Sequence, residues 1–407
     1  MGLVRIDILT REYPPRIYGG AGVHVAELTR ALRALPDLQV QVRAFDEPVQ
    51  EEGTTGYGVP DTVREANAAL RTLGVDLAMA DDVATSGADL VHSHTWYANM
   101  AGHLGGLLGG IPHVLTAHSL EPMRPWKAEQ LGGGYAVSSY AERTAYEGAA
   151  GVIAVSAGMR EDILASYPQV DPAKVHVVHN GIDSQLWQRD TSDAARAVLA
   201  EHGVDPDRPS AVFVGRITRQ KGLPYLLRAL REVPPEVQVV LLAGAPDTKE
   251  IAAEVKGLTD ELRTQRGADS TVVWIEEMLP RQQVIAFLSH ATVFLCPSVY
   301  EPLGIVNLEA MACGAAVVAT ATGGIPEVVV DGETGWLVPI AQVTDGTGTP
   351  LDPDAFVADL AAAITDAVSD PERAARMGEA GRQRAIEQFS WTTVAERTLE
   401  VYRHVLG

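Results

Sequence analysis

Short runs rich in β-branched residues alternate with longer segments of helical period along nearly the whole chain. That alternation is the signature of parallel βαβ units and leaves few other folds open. The first half offers Val4–Leu9, Val40–Ala44, Ala88–His92, His113–Ala117, Gly151–Val155 and Val175–Val178 as strands. The second half offers Ala211–Gly215, Val237–Gly244, Thr271–Trp274, Ala291–Cys296 and Ala315–Thr320. Each half thus reads as its own doubly wound, Rossmann-like α/β domain. Between them His179-Asn180-Gly181-Ile182-Asp183 carries an Asn-Gly step suited to a sharp turn, and the domain boundary is placed there. Residues 181–389 form the second domain after a first of 1–180. Residues 390–407 space Trp391, Val394, Leu399, Tyr402 and Val405 as one face of a terminal helix. Parallel sheets bind ligands beyond the carboxyl ends of their strands, so two sheets are expected to face each other across a cleft.

A formal charge of -21 argues against nucleic acid or an anionic membrane as partner, since both need a basic face. The longest apolar stretch, Met100 to Ile111, contains His103 and five glycines and is too short for a bilayer. The amino terminus reads as a strand rather than a signal segment. Cys296 and Cys313 lie in apolar surroundings and read as buried free thiols, in keeping with a cytoplasmic protein.

An anion can still bind where cations gather locally. After the strand SAVFVG come Arg216 and Lys221, with Gly222 freeing the backbone before a helix; a bidentate and a point cation so placed suit a diphosphate. Taken alone, the two are equally well read as solvated surface charges. The segment YEPLGIVNLEAM follows the next-but-two strand. Pro302 is expected early in its helix, Gly304 at a close approach, and the amides of Ile305 and Val306 aimed at an anion. Helical rise would put the backbones of Glu301 and Glu309 about 12 Å apart, too far for a glycosidase pair. They suit one ligand held at both ends, with sugar hydroxyls on Glu301 and ribose on Glu309. The Gly323-Gly324 turn in TATGGIPE is either part of this edge or merely a βα turn.

In the first half, YPPRIYGGAGVH supplies a glycine-rich loop at Tyr18, Gly19 and Gly20, where a phosphate or sugar can approach the backbone. His118 leaves a strand end, where it contacts a sugar through ring or carbonyl or else serves the structure. Arg124, Trp126 and Lys127 follow; the two cations suit an acidic acceptor such as a sugar phosphate, or simple exposure. His92 and His94 find no third metal ligand at matching spacing. The Asp-x-Asp pairs Asp205/Asp207 and Asp352/Asp354 flank prolines and read as turns. No metal and no cofactor are therefore expected.

With these residues assembled, the chain resembles glycosyltransferase family 4, of GT-B fold, over essentially its whole length. YGGAGVH, GRITRQKG and the Glu301/Glu309 pattern carry the resemblance. TREYPP and TAHSLEPMRPWKAEQLGGGY narrow it to the actinobacterial glycogen synthase and α-maltose-1-phosphate synthase group. The resemblance implies ADP-glucose as donor, retention of the α configuration, and transfer to O4 of glucose 1-phosphate or of an α-1,4-glucan. It also implies a final helix crossing back to the first domain. Chain-elongating bacterial synthases carry a lysine where this chain has Ile17 and an acid where it has Thr95, which favours glucose 1-phosphate. A UDP-sugar or inositol phosphate transferase, and a non-catalytic nucleotide-sugar sensor, are the rival readings. The residues leave the oligomeric state open, with a homodimer among the assemblies considered.

Overall fold

The computed structural model describes residues 3–47, 50–125, 127–128, 132–267 and 270–407, and these fall into two compact units. Residues 1–181 with 391–407 make the first, 182–390 the second.

The first unit is built on seven parallel strands: β1 (Val4–Thr10), β2 (Leu38–Phe45), β3 (Thr54–Tyr57), β4 (Leu90–His94), β5 (His113–Ala117), β6 (Gly151–Ala154) and β7 (Val175–Val177). Their order is β3-β2-β1-β4-β5-β6-β7. The second unit orders β8 (Ser210–Arg216), β9 (Gln238–Gly244), β10 (Val272–Ile275), β11 (Val293–Cys296), β12 (Ala316–Thr320) and β13 (Gly335–Val338) as β10-β9-β8-β11-β12-β13. In each sheet the winding reverses once, between β1 and β4 and between β8 and β11. Loops at a reversal diverge to opposite faces and leave a crevice beyond the carboxyl ends, the place where such sheets hold ligands.

Strands β3 and β13 were not expected. Both are four-residue edge strands, and TTGY and GWLV are too short to show a period. Strand β4 runs two residues later than expected, to His94, so the His94 side chain stands at the sheet's rim.

The terminal helix Trp391–Leu406 belongs to the first unit. Its buried Trp391, Val394, Leu399 and Tyr402 join Val25, Leu28 and Leu32 of the helix Gly20–Arg33 and Ile6 and Ile8 of β1 in one core. Each such side chain contributes about 1.5–3 kcal/mol on burial. Tyr402 adds a hydrogen bond between its hydroxyl and His92 Nδ1 at 2.7 Å. The second unit has its own core of β8, β9 and β11 residues under Leu226, Leu227, Phe356, Leu360 and Ile364. Both cysteines are buried free thiols. Among the described residues no helix is long and apolar enough to cross a membrane.

Candidate functional site

The loop after β8 is folded against the end of β11. Gly222 adopts φ 65°, and a Cβ there would lie 1.9 Å from the Pro297 carbonyl oxygen, so both backbone conformation and contact demand glycine. The Val299 amide donates to the Gln220 carbonyl at 2.9 Å, closing the seam. This seam carries Lys221 to Glu301: Nζ to Oε2 is 2.6 Å, and Ser298 Oγ donates to the same oxygen at 3.0 Å. Burial pulls the Lys221 pKa down, but Glu301 beside it prevails and holds it above its ordinary value. Arg216, at the end of β8, is half-exposed and paired with Asp247.

The helix Ile305–Ala312 begins at Ile305, with Gly304 as its amino cap at φ 94° and no side chain capping it. The Ile305 and Val306 amides thus stand in the first turn, as expected. Pro302 does not: it precedes the helix by three residues, because Gly304's left-handed conformation breaks the helical path. The 12 Å reckoning for Glu301 and Glu309 accordingly has no basis, since Glu301 lies on non-helical chain. Glu309 keeps some solvent contact, yet the protein packed around its carboxyl raises its pKa to about 7, with Arg281 and Lys221 opposing the rise. The turn Gly323-Gly324 is part of this edge. The Gly324 amide donates to the Glu301 carbonyl at 2.9 Å, and a Cβ on Gly323 would lie 2.0 Å from that oxygen. Two glycine turns therefore clamp the backbone that presents Glu301 and Lys221.

Beside Arg216 a cavity of about 300 Å³ opens beyond β8 and β9, lined among others by Ile217, Gly244, Ala245, Pro246, Lys256 and Trp274. Sequence reasoning missed it. The signal was the Gly-Ala-Pro step after β9, where Ala245 takes φ 49° and turns the chain away from the strand.

At the other reversal, the glycine-rich loop carries an anion of its own. Glu12 Oε2 accepts from the Tyr18 amide at 3.0 Å and the Gly19 amide at 2.9 Å, just before the uncapped helix Gly20–Arg33. The amides expected to meet a phosphate or sugar are thus occupied by a carboxylate in this structure. Tyr18 is exposed beside Arg11.

Arg124 and Lys127 are likewise engaged. Both reach Glu121 Oε1, at 3.2 and 3.4 Å, while Ser138 Oγ donates to Oε2 at 2.6 Å. Burial and then Arg124 push Lys127 down to about 8. Two cations on one carboxylate leave the group with one net positive charge. Behind it, Glu142 accepts from the Glu121 amide at 2.8 Å and from the Tyr167 hydroxyl, and burial with Glu121 raises its pKa to about 7. Trp126 lies outside the described residues.

His118 follows β5 and meets two other histidines. Its Nε2 shares a hydrogen bond of 3.0 Å with His94 Nδ1, and its ring stands edge-on to His24 at 4.7 Å. Burial above all lowers the pKa of all three. Sequence spacing offers His94 no such neighbours; the adjacent strand β5 brings His118, and the helix Gly20–Arg33 brings His24. The Asp-x-Asp pairs are local structure. Asp205 Oδ1 accepts from the Asp207 amide at 3.0 Å, and Asp352 caps the helix Pro353–Ser369.

The model for glycosyltransferase family 4 matches residues 18–186, and that for glycosyl transferases group 1 matches 196–384. An α-maltose-1-phosphate synthase of Mycolicibacterium smegmatis is 55% identical over 99% of this chain and 100% of its own. One from Mycobacterium tuberculosis is 54% identical over the same shares. Sucrose-phosphate synthase from Thermosynechococcus elongatus superposes with a TM-score of 0.77 at 24% identity, over 99% of each chain, which speaks to fold. With two Rossmann-like units and a cationic, glycine-clamped rim on the second, the chain belongs to the GT-B glycosyltransferases, in the group that holds the α-maltose-1-phosphate synthases.

Proposed function

We propose that this glycosyltransferase moves glucose from ADP-glucose to O4 of glucose 1-phosphate, giving α-maltose 1-phosphate in α-glucan synthesis. The observation that carries the reading is the convergence of Lys221, Glu301 and the uncapped helix start at Ile305 and Val306 on one rim. A diphosphate has its charge met there by Lys221, Arg216 and two amides, so its departure needs no metal at that place. Lys221 and Arg216 each exchange a protein carboxylate for the phosphates when donor binds. Glu301, released from Lys221, takes sugar hydroxyls, and Glu309 the ribose. The cavity beside Arg216 has the size and position for the base.

In the reaction the bond from glucose C1 to the diphosphate oxygen breaks while O4 of the acceptor bonds to C1 on the same face. The acceptor proton passes to the departing phosphate oxygen, which retains the α configuration and uses no protein base. Arg124 and Lys127 hold the acceptor phosphate with their remaining positive charge, and His118 contacts sugar through its main-chain carbonyl. Nucleotide-activated and phosphorylated substrates are cytoplasmic compounds, in line with two free buried thiols.

Mass analysis of products decides it. ADP-glucose with glucose 1-phosphate is expected to give a hexose disaccharide monophosphate at a rate well above that with UDP-glucose. Incorporation into glycogen with no disaccharide phosphate would instead assign chain elongation, and donor binding with no product from either acceptor would assign a sensor.

A further inference from the structure

We propose that His24, His94 and His118 form a binding site for one first-row divalent metal ion of the zinc class. The three come from separate places in the first unit: the first turns of the helix Gly20–Arg33, the last residue of β4, and the residue after β5. One nitrogen from each ring lies within 4.8 Å of the others. Zinc–imidazole bonds of about 2.0–2.1 Å at tetrahedral angles set neighbouring nitrogens about 3.3–3.4 Å apart. The His94 and His118 pair already stands at 3.0 Å, and His24 closes the triangle with a ring adjustment.

Hydrogen bonding separates this group from ordinary buried histidines. A neutral imidazole always carries one N–H. His92, its ring tilted against that of His94 at 4.3 Å, satisfies both nitrogens, on Tyr402 and on Thr116, each at 2.7 Å. It is a structural residue and not a ligand. His24 is buried, and neither of its nitrogens has a hydrogen-bond partner. The Asn180 side chain pulls on the ring as a weak hydrogen-bond partner, although its oxygen and both ring nitrogens stay outside ordinary hydrogen-bond geometry. Whichever tautomer His24 adopts, one ring lone pair has no donor and the N–H has no acceptor nearer than the Asn180 oxygen. A metal ion takes the lone pair of one ring nitrogen, and the other nitrogen keeps its N–H for the Asn180 oxygen.

The donor set is all imidazole with no carboxylate among the three, which suits zinc, copper, nickel or iron and disfavours magnesium and calcium. Three protein ligands leave a fourth position for water or a substrate oxygen. An ion here pins the glycine-rich loop's helix to the ends of β4 and β5. It also takes the His118 ring, leaving that residue's carbonyl for substrate. The proposal is independent of which sugar the chain transfers.

The test is a titration of the chelator-treated full chain with Co²⁺, read by visible absorption, with unfolding temperature as a second readout. One cobalt per chain is expected, with the intense d–d bands of four- or five-coordinate cobalt, displaced by one equivalent of Zn²⁺, and either ion raises the unfolding temperature. His24→Asn and His118→Asn abolish the bands, while His176→Asn, altering a histidine that packs on His404 instead, keeps them. Two variants guard against one failing to fold, which circular dichroism reports. Wild type without visible bands overturns the proposal. So do bands that persist in either folded variant, or bands lost with His176→Asn.

Discussion

The carboxyl rims of the two sheets are built from opposite materials. On the six-stranded sheet, glycines at 222 and 323 press backbone on backbone and present charged pairs, Lys221 with the buried Glu301 and the exposed Arg216 with Asp247. On the seven-stranded sheet, side chains do the work: three imidazoles, of which His24 and His94 are buried, the buried Glu121–Glu142 network, and the partly exposed Glu12 on its own loop's amides. A rim of the first kind is rigid in its chain path and exchanges ion partners readily when a ligand arrives. A rim of the second kind is rigid in its side chains, and its chain path depends on them.

Lys221→Ala is the strongest way to break this contrast. Removing a preorganised cation from developing phosphate charge is expected to lower turnover about 10²–10³-fold. Some loss of unfolding temperature should accompany it, because the buried Glu301 keeps only its Ser298 hydrogen bond, so circular dichroism at the assay temperature confirms a folded variant. Equal turnover in the variant and wild type would refute the phosphate assignment. Gly222→Ala tests the backbone half of the same claim. The left-handed conformation costs an alanine about 1–2 kcal/mol, and contact with the Pro297 carbonyl adds to that. Denaturant unfolding should show the loss, and turnover should fall although no charge has changed.

The two rims differed as much in how far the sequence disclosed them. Lys221, Gly222, Glu301 and Gly304 lie within a few residues of strand ends, and glycine beside a cation after a strand is a local pattern that names its own geometry. Both sheets were legible for the same reason, save their short edge strands β3 and β13. Pro302 was misplaced because only the fold shows Gly304 in the left-handed region. The histidine group was illegible, since residues 24, 94 and 118 meet only after the strand order β1-β4-β5 is formed. Arg124 and Lys127 were found, but not their engagement with Glu121, which is a matter of burial and not of spacing.

Arg124→Ala sharpens the acceptor side. Loss of one charge-assisted contact to a phosphate is worth about 1.5–3 kcal/mol, so KM for glucose 1-phosphate is expected to rise about 10- to 100-fold. The KM for ADP-glucose should stay put. A parallel rise in both would mean that the variant disturbs the fold around Glu121 and not a phosphate contact, and initial-rate kinetics with each substrate varied separates the two.

Glu142→Gln makes the smallest change and reads the buried network by pH. Glu142 has its pKa raised from 4.5 to about 7, chiefly by burial and then by Glu121. Between those values the folded chain holds a proton that the unfolded chain releases. Stability from this group is therefore fully present below about pH 4.5, declines as pH rises, and is gone above about pH 7. A shift of this size in a buried carboxyl is worth about 3 kcal/mol. Glutamine is neutral throughout and keeps an oxygen to accept from the Glu121 amide, so the variant should lose this slope. Glu309, also raised to about 7, contributes a decline of the same sign in both proteins, which makes the difference between their urea midpoints from pH 5 to 8 the quantity to measure. Superimposable profiles would mean that Glu142 is charged in the folded chain. In that case the one net positive charge at Arg124 and Lys127 would be cancelled from behind, leaving that rim no advantage for a phosphate.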